Sequence, residues 1–171
     1  MITEVGHYSL VLALAVALIV SILPVIGARR NDVALMDIGS LGSIMLFLLV
    51  SLSFAALTRA YAVSDFSVAN VYQNSHSMMP MLYKLTGVWG NHEGSMMLWL
   101  LIITFFSALV AIYGRNLPDT LKANVLAVQA WITLAFLLFI LLTSNPFERL
   151  DPAPAEGQDL NPILQDFGLA I

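Results

Sequence analysis

Cysteine is absent from the 171 residues, which excludes disulfides, thiolate metal sites and any C-x-x-C-H motif on the chain itself. Charge is nearly as scarce. Only 11% of residues are Asp, Glu, Lys or Arg, against roughly a quarter in a soluble domain. So few charges cannot clothe a water-facing surface. No run of Lys and Arg exists to neutralise phosphates, and the net charge is −4; nucleic-acid binding is excluded on electrostatic grounds.

What is abundant is apolar: 59% of residues are hydrophobic and the mean hydropathy is +0.85. A helix needs about 20 apolar residues to cross the hydrocarbon layer. The stretches 5–28, 38–58, 94–114 and 123–147 are each that long and carry no Asp, Glu, Lys or Arg. The fold class expected is therefore all-α: a polytopic membrane protein of four transmembrane helices with extended outer-face loops at 59–93 and 144–171. The first stretch is not a signal peptide. Its charges run the wrong way, with Glu4 before the apolar core and Arg29-Arg30 after it.

The short connections 29–37 and 115–122 hold four basic residues, and the longer segments 59–93 and 144–171 hold three. By density the short loops are cytoplasmic, which puts the N-terminus and the C-terminal loop outside, periplasmic if the membrane is a bacterial inner membrane. None of the stretches has an ionisable residue near its centre, which argues against ion transport by these helices alone. Gly39, Gly42 and Ser43 offer a small-residue face for close helix packing.

Chemistry on the outer face belongs to the loops. Tyr61, Phe66, Tyr72, Tyr83 and Trp89 are aromatics suited to the headgroup boundary. Pro80 can open a helix, and 81–89 has near-helical apolar spacing, so a short amphipathic helix on the membrane surface is expected there. The densest spot is Trp89-Gly90-Asn91-His92-Glu93-Gly94-Ser95, at the start of the third span. One reading is a groove presenting Trp89, His92 and Trp99 to a flat apolar ligand. The plainer reading, a capped helix end with an interfacial tryptophan, explains the same residues and is the commoner use of them. His76 and His92 invite a haem or metal hypothesis, but loop histidines are usually solvated or bonded to backbone, and no second histidine completes a zinc-protease pattern. The methionines at 78, 79, 81, 96 and 97 are more simply flexible packing than soft-metal ligands. The Pro-rich, acidic stretch 145–157 reads as loop, and the apolar pattern from Leu160 to Ile171 as a short interfacial segment.

Asn74-Ser75, Met79-Pro80, Tyr83-Lys84 and the run Trp89-Gly90-Asn91-His92-Glu93-Gly94-Ser95-Met96-Met97-Leu98-Trp99 resemble the first outer loop of CcmF/NrfE-type haem lyases. Asn145-Pro146-Phe147 and the segment from Gly157 through Asn161, Pro162, Gln165 and Asp166 resemble the next outer loop of that family. The resemblance covers the whole chain but only the N-terminal portion of the longer family members, whose tryptophan-rich motif and haem-ligating histidines have no counterpart here. It implies a role in attaching haem to the C-x-x-C-H motif of apocytochrome c through thioether bonds. Haem would be delivered by a haem chaperone, and other cytochrome c maturation subunits would be partners. Within that frame Trp89, His92 and Trp99 would form a haem-proximal surface. Tyr83, Lys84, Gly90, Glu93, Gly94, Ser95, Asn161, Pro162, Gln165 and Asp166 would form a partner surface. No catalytic residue or axial ligand is assigned, and this segment alone is expected to be inactive. The alternative is a non-catalytic assembly or interaction subunit of a membrane complex.

Overall fold

The structure is a computed structural model that describes residues 1–165 and 168. Among the described residues six α-helices are delimited in order: α1 (Ile2–Arg30), α2 (Val33–Ala62), α3 (Ala69–Asn74), α4 (Met81–Gly87), α5 (His92–Tyr113) and α6 (Asp119–Thr143). Helices α1, α2, α5 and α6 are 29, 30, 22 and 25 residues long. At about 1.5 Å per residue each exceeds the ~30 Å hydrocarbon core. All four are apolar enough to span a membrane, and their charged residues lie within the outermost two turns at either end. The chain is thus a multi-pass membrane protein.

Local chemistry fixes the helix ends. Asn31 adopts the left-handed conformation (φ 53°), returning its N–H to the Gly27 carbonyl, and the Asp32 side chain then caps α2 by accepting from Leu35 N–H at 3.3 Å. That turn forces α1 and α2 antiparallel. A 3-10 turn (Gly114–Asn116) followed by Pro118 does the same for α5 and α6. Asn-Pro explains where α6 stops. The apolar stretch runs to Phe147, but the residue before a proline is disfavoured in the helical region, and the helix ends at Thr143. Phe147 instead folds back as a buried side chain against Gly6 of α1.

The four long helices form a bundle in the order α1–α2–α5–α6, with α1 and α5 at opposite corners. Helices α1 and α2 approach closely because small residues line their seam. A Cβ on Gly42 would stand 2.2 Å from Val20 Cγ2, and one on Gly39 3.2 Å from Pro24 Cγ. Pro24 lies inside α1, and Trp131 Nε1 of α6 donates to the Ser21 carbonyl one turn earlier at 2.7 Å. Leu12, Leu18, Leu48, Leu52, Phe106 and Leu138 point outward. Lipid solvates such a surface, because a helix satisfies its backbone polar groups internally along its length.

Both long loops gather at one end of the bundle. Segment 59–93 is not a simple connection: α3 and α4 are built into it, and α3 carries no strong sequence signal. The loop after α6 runs alongside it, with an antiparallel bridge between Val68 and Arg149 and hydrogen bonds from Gln158 N–H to the Tyr72 carbonyl (2.7 Å) and Asp159 N–H to the Ser75 carbonyl (3.1 Å). The close fit requires Gly157, where a Cβ would meet the Ser75 carbonyl oxygen at 2.0 Å. The expected apolar segment 160–171 is described only in part: Leu160 is buried and Pro162–Gln165 form a 3-10 turn.

Candidate functional site: the loop end of the bundle

The start of α5 is held by one side chain. Asn91 is its N-cap, accepting from Gly94 N–H at 2.8 Å. The same amide NH2 donates to the Tyr61 hydroxyl (3.0 Å) and to the Gly87 carbonyl (2.9 Å). The Tyr61 hydroxyl in turn donates to Asn70 Oδ1 (2.6 Å), and Asn70 Nδ2 donates to Asn91 Oδ1 (2.8 Å) and to Glu93 Oε2 (3.0 Å). Tyr61, Asn70 and Asn91 form a closed ring of hydrogen bonds joining the end of α2, α3 and the start of α5. Tyr61 is fully buried and Asn70 nearly so, and buried polar groups with every partner satisfied make a site rigid.

His92 lies just outside this ring. Its Nε2 is 3.0 Å from Ser144 Oγ, and its ring packs edge-on against Phe139 of α6 at 6.0 Å. It bridges the start of α5 to the end of α6. Trp89 and Trp99 are exposed, at 39% and 60%. Trp99 lies seven residues after His92 and so near the same helix face, but His92 itself is turned to α6. Gly94 packs under the Val88 carbonyl, and Ser95 Oγ bonds back to the His92 carbonyl at 2.9 Å.

The expected partner-surface residues differ in burial. Glu93, Tyr83 and Gly90 are half-buried, while Asn161, Pro162 and Gln165 are exposed, Gln165 donating to the Leu160 carbonyl at 2.8 Å. Lys84 and Gly94 are buried, so neither offers a side chain to a partner. Lys84 Nζ donates inward to Ser64 Oγ (2.7 Å) and the Ser77 carbonyl (3.0 Å), clamping the two ends of segment 64–77. Helix α4 ends at Gly87 rather than Trp89 and turns its cation inward. Asp166 lies outside the described residues.

Two ionic clusters close the loops. Arg149 reaches Glu4 of α1 and Asp65 of the α2–α3 loop, and also contacts Thr3 and Ser67. Glu156 accepts from Ser77 Oγ and from the backbone N–H groups of Ser77 and Gly157, with His76 Nε2 at 4.0 Å. The Ser77 bonds above all hold the Glu156 carboxyl at about 2, well below its ordinary 4.5. Asn70 and Arg149 carry no role in the reading of the sequence, and Tyr61, read there as a headgroup-boundary aromatic, is instead fully buried in the ring. The one available signal was a lone asparagine in the apolar run Val68-Ala69-Asn70-Val71.

His76 and His92 are engaged within the protein. His92 Nε2 is engaged by Ser144, and His76 Nδ1 accepts the Met78 N–H at 3.2 Å. Among the described residues no three of His, Asp and Glu converge to hold a metal ion. Both His76 and His92 thus commit a ring nitrogen to the protein, while His7 Nδ1 is buried with no hydrogen-bond partner among the described residues.

Fold and loop end together define a polytopic helical membrane protein with a folded extramembrane cap. A family model described as cytochrome C assembly protein matches residues 89–171. The cytochrome c-type biogenesis protein CycK of Rhizobium meliloti is 68% identical over 171 residues, covering 100% of this chain and 25% of that protein. The cytochrome c-type biogenesis protein CcmF of Pseudomonas aeruginosa is 47% identical over 172 residues, covering 100% of this chain and 26% of that protein. A solved structure of the cytochrome c heme lyase CcmF superposes with a TM-score of 0.80 at 27% identity, over 86% of this chain and 25% of that one. The chain belongs to the CcmF-type cytochrome c biogenesis family, and it spans about a quarter of the length of these relatives.

Proposed function

We propose that the chain acts in cytochrome c maturation, as the N-terminal segment of a haem lyase that attaches haem to the C-x-x-C-H motif of apocytochrome c. In that reaction each thiol adds across a haem vinyl group, its sulfur bonding to one vinyl carbon and its proton ending on the other. Haem and apocytochrome are both substrates. The four-helix bundle supplies scaffold, and the loop end, with Trp89 and Trp99 outward, supplies a wall near the incoming haem or its chaperone. The observation that carries this reading is similarity to CcmF-type proteins over the whole chain, loops included.

The loop end lies on the periplasmic side of a bacterial inner membrane in this reading. Supporting it, Arg29, Arg30, Arg115 and Lys122 all fall at the opposite end of the bundle. An impermeant maleimide should label a cysteine placed at Ala155 in intact, outer-membrane-permeabilised cells.

The decisive experiment is cytochrome c yield from cells carrying the full-length protein with Trp89→Ala or His92→Ala. Loss with Trp89→Ala and normal membrane levels of the protein supports the haem-proximal wall; unchanged yield in both variants sinks it. A second reading, a non-catalytic assembly subunit, is favoured by the inward commitment of Asn91 and His92. It predicts that both variants alter co-purification with other maturation subunits before they alter yield.

A further inference from the structure

Helix α4 is amphipathic in the reverse sense to a helix facing water. Its one charged side chain, Lys84, is 8% exposed, whereas Met78 just before it is 85% exposed, Met81 52%, Leu82 42% and Trp89 just after it 39%. Met81 and Leu82 are exposed in the first turn of α4, and Met78 and Trp89 are the exposed apolar residues that flank the helix. No charged residue lies between Met78 and Trp89 except Lys84.

The depth of this face is fixed by its contacts. Gly87, the last residue of α4, lies against the Tyr61 ring at the end of α2, where a Cβ would meet Cε1 at 3.4 Å. Tyr61 belongs to the final turn of a membrane span, and Trp89 stands three residues before the next span begins. The exposed face therefore lies beside the end of one membrane span and just before the start of the next. Seven residues are too few to hold a helix in water. Lys84 and the α2 contact hold this one in place.

We propose that α4 docks in the lipid interface, with Met78, Met81, Leu82 and Trp89 inserted at the headgroup–hydrocarbon boundary. Turning Lys84 inward removes the charge that would oppose insertion, and a tryptophan beside a span end is suited to that layer. Docking sets the depth of Trp89 and so of the turn that leads from it into α5. The inference does not rest on the haem-attachment reading.

The chain lacks cysteine, so nitroxide labels can be placed singly. Met81→Cys, Leu82→Cys, Gln73→Cys and Ala155→Cys would be labelled in the protein reconstituted into vesicles of phosphatidylethanolamine and phosphatidylglycerol. At 81 and 82, collisions with dissolved oxygen should exceed those with a water-soluble nickel chelate severalfold, and at the exposed polar-side positions 73 and 155 the order should reverse. Free access of the nickel chelate to 81 and 82 would place the face in water and overturn the proposal. Protection of both positions from oxygen as well as nickel would mean a protein covers the face, and would overturn it equally.

Discussion

Tyr61 and Asn91, thirty residues apart, meet at 3.0 Å and close a three-membered hydrogen-bond ring through Asn70. Because Asn91 also caps α5, its removal strips the Gly94 N–H, the Gly87 carbonyl and the Tyr61 hydroxyl of a partner at once. A lost cap costs ~1 kcal/mol and a buried polar group left unsatisfied about 1–3. Asn91→Ala should therefore destabilise the protein by about 2–4 kcal/mol, read as unfolding in graded SDS–detergent mixtures. Tyr61→Phe should cost less, and the double variant should fall short of the sum by at least about 0.5 kcal/mol, since both break the same ring. Strict additivity would contradict a shared network.

The α1–α2 seam gives a second test, one that reads packing rather than polarity. A methyl group on Gly42 would enter the space of Val20 Cγ2, at 2.2 Å. Overpacking of this kind costs about 1–3 kcal/mol. Gly42→Ala should be destabilising by that much, and Val20→Ala in the same chain should recover part of the loss by vacating the space. Failure of Val20→Ala to relieve Gly42→Ala would mean the two helices meet elsewhere.

How much of this was legible beforehand follows from the physics of each part. Lipid imposes a one-dimensional rule, so the four spans stood out as uncharged stretches of sufficient length, and Gly39 and Gly42 marked the seam. Helix ends were less visible where capping decides them. Asp32 starts α2 at Val33, before its uncharged stretch begins, and Asn145-Pro146 ends α6 while apolar residues continue. A capped helix end is expected within Trp89–Ser95, but neither the capping residue, Asn91, nor its partners are legible, because Tyr61 and Asn70 reach it only through the fold of segment 59–93. Lys84 shows the limit most clearly. A lysine in a loop reads as solvated, and only the three-dimensional placement of Ser64 and Ser77 reveals it buried.

Glu156 provides a pH-dependent prediction. Its carboxyl titrates near 2 in the folded protein, against about 4.5 when unbound. The folded value is the lower one, so the charged form is favoured by folding. The stabilisation is complete above pH 4.5, declines as the pH falls below it, and is gone near pH 2. The group is exposed, so the effect is confined to docking of the 153–160 loop. A carbon-13 carboxyl titration should give a midpoint close to 2 in the parent chain. Ser77→Ala removes the hydroxyl bond to Glu156 and should move the midpoint toward 4.5. A midpoint that ignores Ser77→Ala would show that the loop is not held there.

The two glycines of the Trp89–Ser95 run look equivalent in sequence and are opposite in structure. A Cβ on Gly94 would lie 1.5 Å from the Val88 carbonyl oxygen and 2.7 Å from its carbon, a clash with backbone fixed by the Asn91 cap. A Cβ on Gly90 would lie 3.1 Å from Leu164 Cδ1, the tip of a side chain that can swing away. Gly94→Ala must displace the turn that starts α5, and should cost more than about 3 kcal/mol, seen as loss of folded protein in the membrane. Gly90→Ala should stay within about 1 kcal/mol of the parent, and adding Leu164→Ala should remove whatever strain remains. Equal tolerance at both positions would contradict the close approach of Val88 to Gly94, and with it the rigid geometry on which the loop end is built.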